Sequence, residues 1–126
     1  MFSHIMIGAN DIQASKRFYD ATLGALGHKP GNLDPNGRCF YVTKEGVFAL
    51  TKPINGELAG HGNGGTIGFA AASAEEANKW HAAGLAAGGT ASEDPPGVRD
   101  GGGGQLYLAY LLDPAGVKVC ALHRMG

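Results

Sequence analysis

The sequence predicts an α+β fold of two tandem βαβββ repeats, helices outside, whose sheets curve into an incomplete barrel. Three observations lead there. Gly contributes 22 of 126 residues, far above the usual share, which favours many tight turns over a helical bundle. The composition, 44% hydrophobic and 17% charged, is that of a globular chain long enough to bury a core. The third observation is internal: shifted by 62 residues, the first strand and helix lie over a second strand and helix without a gap.

The overlay begins on a strand. Ile5-Met6-Ile7 falls on Ile67-Gly68-Phe69, short apolar runs bounded by turn-forming residues. Asp11 falls on Ser73, both good helix N-caps. Behind Asp11, Ile12, Tyr19, Leu23 and Leu26 recur at close to helical spacing, and the helix stops at Gly27. The second, Ala-rich helix carries Lys79, Trp80 and Leu85 where the first has Arg17, Phe18 and Leu23, and it ends at Gly88-Gly89.

Three strands are expected after each helix, near residues 28–30, 38–42 and 47–51, then near residues 90–93, 106–111 and 117–122. The turns Lys44-Glu45-Gly46 and Pro114-Ala115-Gly116 stand 70 apart instead of 62, so the second half has gained residues. The Pro- and Gly-rich stretch DPPGVRDGGGG, residues 94–104, is the simplest place for the gain, and an insertion there is expected to be a loop. One repeat alone has too little core to stand by itself. Two of them, about residues 1–56 and 62–126, make a single domain over 1–126 and leave a cleft suited to a small ligand.

Several function classes are disfavoured. With 10 basic and 11 acidic residues, a net charge of −1 and no basic stripe, no nucleic-acid partner is expected. No apolar run approaches a membrane span and the N-terminal residues do not read as a signal peptide. Two cysteines, Cys39 and Cys120, make no disulfide framework, so a reduced, cytoplasmic protein is expected. There is no CxxC, no Ser-His-Asp order and no carboxylate pair within one predicted strand; Glu93 and Asp94 are adjacent and would point to opposite faces. The Gly101–Gly104 run follows no predicted strand and opens no predicted helix, so it is not read as a dinucleotide fingerprint.

His4-Ile5-Met6-Ile7, the segment Asp11-Ile12…Phe18-Tyr19…Leu23-Gly24 and the turn Asp113-Pro114-Ala115-Gly116 with its following strand together resemble the vicinal oxygen chelate superfamily of glyoxalases, bleomycin-resistance proteins and ring-cleaving dioxygenases. The resemblance covers nearly the whole chain. It implies a central divalent metal held by side chains from the first and last strand of each repeat, with open positions for two substrate oxygens. Carried over residue by residue, those positions are His4, Leu50, Thr66 and Cys120. His4 is the only usual ligand that survives among them. Catalytic zinc takes three protein ligands and Mg2+ prefers oxygens, so no metal cofactor is expected with this set; the alternative is a divalent ion held at His4.

The candidate ligand-binding cleft is therefore His4, Met6, Leu50, Thr66, Arg99, Tyr107 and Cys120. His4 and Met6 are expected to point into it while Ile5 and Ile7 face the helices. Arg99, in the inserted loop, would meet an anionic group of a ligand, or the loop is a plain hairpin. Cys120 reads as a small buried hydrophobe before it reads as a nucleophile. No catalytic residue can be named. Three functions follow. The first is a metal-free, glyoxalase- or bleomycin-resistance-like protein that binds a small molecule, expected as a homodimer. The second is a metal-dependent lyase, isomerase or dioxygenase with a site centred on His4. The third is a dimeric interaction module with a vestigial cleft.

Overall fold

A computed structural model describes all residues, Met1–Gly126. The first repeat runs β1 (His4–Gly8), α1 (Ile12–Ala25), β2 (Asn32–Leu33), β3 (Cys39–Thr43) and β4 (Gly46–Thr51). The second runs β5 (Ile67–Ala70), α2 (Ala74–Ala86), β6 (Thr90–Ala91), β7 (Gly97–Gly101), β8 (Gly104–Leu112) and β9 (Lys118–Arg124). The first sheet is ordered β1-β4-β3-β2, and the second β5-β9-β8-β6 with β7 also on β8. In each, the opening strand lies parallel to the closing one and the rest are antiparallel. No strand of one sheet is hydrogen-bonded to a strand of the other, so the sheets do not close into a barrel. The α+β architecture is the one the repeat implied.

Both helices start and stop as the sequence suggests. The Asp11 side chain accepts from the Ala14 amide at 3.1 Å and Ser73 accepts from the Glu76 amide at 3.1 Å. Glu76 answers by accepting from the Ala72 amide at 2.9 Å, a near relative of the capping box. Each helix runs out into a left-handed glycine, Gly27 and Gly88.

Two elements depart from expectation. Residues 28–30 are not a strand: the Gly31 amide is drawn to Asp20 of α1, and pairing begins only at Asn32. Residues 94–104 are not wholly a loop. Gly97–Gly101 pairs with β8 from Leu108 back to Gly104, which lengthens the hairpin by an ordered strand. Glu93 ends β6 early by taking a positive φ of 58°, the one non-glycine residue to do so.

One core serves both repeats. Phe18, Tyr19, Phe48 and Leu50 from the first half are buried with Trp80, Leu111 and Val119 from the second. The helices meet at Gly84, where an added Cβ would run into Leu111, Thr22 and Phe18, so only a residue without one allows this approach. Tyr19 of α1 reaches across the halves and donates to Asp113 at 2.6 Å.

Asp20 ties α1 to its own sheet by accepting from Lys16 Nζ (2.7 Å), the Gly31 amide (2.9 Å) and the Tyr41 hydroxyl (2.8 Å). Burial disfavours its charged form, but these donors and the Lys16 charge win and hold the carboxyl below its ordinary range. A depressed folded pKa adds stability above the unfolded value and loses it as pH falls through the folded one. Asp20→Asn is therefore expected to be less stable at pH 7 by about 1 kcal/mol. That gap should close as pH falls through the ordinary carboxylate range and below it. Urea melts across that range check it, and a gap unchanged with pH would exclude a role for the charge.

Candidate functional site

Alternation along the strands sorts the candidate residues onto two faces of each sheet. Ile5, Ile7, Phe48 and Leu50 of the first sheet pack towards the common core. His4 pairs with Val47 and Met6 with Ala49, so these four share the opposite face. In the second sheet Ile67, Phe69, Val119 and Ala121 turn to the core, while Gly68, Lys118, Cys120 and Leu122 share the other face. Tyr110 lies beside Cys120 on it.

Two of the expected cleft residues lie elsewhere. Leu50 is fully buried and belongs to the core. The register explains why: Val42 pairs with Val47 around residues 43–46, whereas Leu112 pairs with Lys118 around residues 113–117. The second hairpin turn is longer by one residue, and that slip exchanges the faces of the strand behind it. The true counterpart of Cys120 is Ala49. Tyr107 also faces the helix side, where its ring packs against the core and its hydroxyl donates to Asn78 of α2 at 2.8 Å.

Arg99, on β7, is spent on the residues just before its own strand, donating to the carbonyls of Asp94 (3.2 Å) and Pro95 (2.9 Å). Thr66 is exposed just before β5. Cys120 is only 5% exposed. Burial first, and then the charge of Glu93, pushes its thiol up to about 11, against a smaller opposing pull from Lys118. It is therefore a neutral thiol at pH 7 and a poor nucleophile. His4 is exposed, and its Nδ1 lies 2.8 Å from the Ser3 hydroxyl, leaving Nε2 uncommitted.

The residues at the four equivalent positions are thus His4, Ala49, Thr66 and Cys120: an imidazole, a methyl, a hydroxyl and a protonated thiol. No three His, Cys, Asp or Glu side chains come together anywhere in the chain. That donor set does not fit a catalytic divalent ion, which needs three good ligands.

A cavity of about 260 Å³ opens where the two repeats meet. The start of β1 brings His4 and Ile5 to it, and the β3–β4 hairpin brings Thr43, Glu45 and Val47. Its apolar wall is Tyr41, Phe48, Phe69 and Ile67, with Phe48 and Phe69 in an edge-on contact of 5.3 Å across the repeats. Phe2, Leu23 and His28 close it. Of the expected residues only His4 borders this space. Phe2, His28 and Glu45 were missed because they lie in the N-terminal arm and in turns, where no periodicity marks them. Tyr41 and Phe69 carry a strand signal, but only the meeting of the halves makes them neighbours of a cavity.

The family model of the Glyoxalase/Bleomycin resistance protein/Dioxygenase superfamily matches residues 1–121. The chain belongs to this superfamily. Among solved structures it is similar to a glyoxalase/bleomycin resistance protein from Albidiferax ferrireducens T118, at 59% identity and a TM-score of 0.95, covering 98% of this chain and 99% of that one. It also resembles in fold a glyoxalase-related enzyme from Fulvimarina pelagi (21% identity, TM-score 0.74, 98% and 88% covered). A lactoylglutathione lyase from Agrobacterium tumefaciens shares the fold as well (20%, 0.67, 98% and 92%). No curated protein matches the chain. Within the superfamily its donor set stands apart from the metal-binding pattern that the sequence resemblance implied.

Proposed function

We propose that this member of the superfamily binds a compact, mostly apolar small molecule between its repeats and holds it without an obligatory divalent metal. The observation that carries the reading is the cavity itself. Four aromatic or branched side chains, Tyr41, Phe48, Phe69 and Ile67, form its wall, and His4, His28 and Glu45 supply a few polar groups at its margin. Apolar walls with sparse polar groups are what ligand pockets in proteins share. The size suits a ligand of one or two rings.

Dimerisation is part of the proposal. Val42 is 71% exposed and Met6 38% exposed, on the same face of the first sheet, an arrangement that a second copy would cover. No helix is long and apolar enough to cross a membrane, and both cysteines are free and buried, which suits a reducing compartment such as the cytoplasm.

The test is a thermal-shift screen with small aromatic compounds, backed by native mass spectrometry. A ligand at about 100 times its Kd adds about 2.7 kcal/mol, a rise of several degrees in Tm. The rise should vanish in Ala70→Trp, which enlarges an exposed side chain at the cavity edge. Mass should show a dimer without stoichiometric metal. A bound divalent ion lost in His4→Ala would overturn the metal-free reading in favour of a metal enzyme centred on His4.

A further inference from the structure

Asparagine is followed by glycine three times in the chain, at Asn36-Gly37, Asn55-Gly56 and Asn63-Gly64. The pairing has a chemistry of its own. Glycine has no Cβ to shield its amide nitrogen, so that nitrogen can close a small ring on the carboxamide before it. All three asparagines are exposed. All three glycines are left-handed, with φ of 81°, 77° and 98°, and a Cβ on any of them would meet nothing within 4 Å. Neither room nor backbone hand separates the three pairs.

Hydrogen bonding does. Gly37 and Gly56 close their own turns, donating to the Asp34 carbonyl at 3.0 Å and the Pro53 carbonyl at 3.1 Å. Around Gly37 the Asp34 carboxylate also accepts from the Asn36 and Arg38 amides, each at 2.9 Å. The Asn55 carboxamide is held at both ends by Glu57: its Nδ2 donates to the Glu57 carboxylate and its Oδ1 accepts from the Glu57 amide, each at 3.0 Å. The turn over Gly62–Gly65 is closed one residue later, by the Gly65 amide on the Gly62 carbonyl at 2.9 Å. The Gly64 amide is left facing solvent, and neither it nor the Asn63 carboxamide is hydrogen-bonded within the chain.

We propose that Asn63 is the chain's site of spontaneous deamidation, converting to aspartate and isoaspartate while the folded structure protects Asn36 and Asn55. The Gly64 nitrogen loses its proton and attacks the Asn63 Cγ. The N–Cγ bond forms, the Cγ–Nδ2 bond breaks, and Nδ2 leaves as ammonia with that proton. Solvent water then opens the cyclic imide at one of its two carbonyls, and nothing is oxidised or reduced. Opening on the main-chain side of the nitrogen leaves aspartate or isoaspartate according to which carbonyl water attacks. Either product adds one negative charge to a chain of net charge −1. Isoaspartate also lengthens the backbone between the repeats by a methylene.

The test is incubation of the full folded chain in mildly alkaline buffer, with peptide mapping by mass spectrometry to follow each amide-to-acid conversion. Asn63 should convert about fivefold faster than Asn36, the worth of one hydrogen bond that must first break at Gly37. Asn55, held at both its carboxamide and the Gly56 amide, should be slowest. In denaturing guanidinium those bonds are gone, and the three rates should converge. Asn63→Gln should abolish the fast phase, and Glu57→Ala, in an exposed segment, should speed Asn55 by freeing its carboxamide. Conversion of Asn36 or Asn55 as fast as Asn63 in the folded chain would overturn the proposal. So would a native order of rates that persists in guanidinium, since hydrogen bonds of the fold could not then be its cause.

Discussion

Asp113→Ala should lower stability by about 3–4 kcal/mol, a severe loss for one side chain in a domain of this size. The Asp113 carboxylate is 4% exposed and accepts three hydrogen bonds. The Tyr19 hydroxyl donates at 2.6 Å, the Ala115 amide at 2.8 Å and the Val117 amide at 2.9 Å. The amides define the turn between β8 and β9; the hydroxyl comes from α1 of the other repeat. Removing the acceptor strands all three donors, and a buried donor left unmade costs about 1–3 kcal/mol. The turn amides can recover water, so the sum falls short of three full penalties. The phenol remains enclosed. Burial, and then the neighbouring carboxylate, pushes the Tyr19 hydroxyl well above its ordinary value, which keeps it a donor at every pH where the protein folds.

Tyr19→Phe removes one donor and leaves the carboxylate its two amides, so it should cost less, about 1–2 kcal/mol. A double-mutant cycle between the two positions then measures how strongly the repeats are tied through this bond. Urea denaturation with an unchanged m-value is the required readout. A cost for Asp113→Ala under about 1 kcal/mol would mean that water already serves the turn and the phenol is not confined.

How much of this was written in the sequence depends on the kind of signal. The repeat was legible because a cap, an aromatic and a terminal glycine recur at one offset, and each has a local physical meaning. The faces of the last strands were not. β8 reads Gln-Leu-Tyr-Leu-Ala-Tyr-Leu-Leu after its glycine, apolar on both sides, so alternation cannot say that Ala109 and Leu111 face the core with Tyr107 while Tyr110 faces away. Leu50 was misplaced by a single residue of turn length, invisible without the pairing register. The strand at Gly97–Gly101 was hidden because glycine and proline mask its β signal, and pairing to an already formed β8 overrides weak propensity.

The candidate site divides the same way. Alternation put His4 and Met6 on one face of β1, but of the two only His4 borders the cavity. The cavity between the repeats gathers Phe2, His28 and Glu45 from segments without period, and only the docking of one repeat on the other makes them neighbours. Local chemistry thus specified each element, and the long-range packing specified what the elements enclose.

That packing is tested most directly at Trp80. It occupies on α2 the place Phe18 holds on α1, and both are fully buried in the shared core. Trp80→Ala is expected to cost about 3–5 kcal/mol, because the lost transfer energy is compounded by a cavity that rigid neighbours cannot fill. One term opposes it: the indole Nε1 is buried without a hydrogen-bond partner, and removing an unmet donor recovers part of its penalty. The net effect should therefore fall near the lower end of the range. Trp80→Phe, which removes the same donor but keeps most of the volume, should cost under about 1.5 kcal/mol. Far-UV circular dichroism in urea is the suitable probe, since these variants lack the chain's one tryptophan. A Trp80→Ala cost as small as that of Trp80→Phe would show that α2 can settle into the space. The two repeats would then be joined chiefly by the Tyr19–Asp113 bond rather than by a common, rigid core.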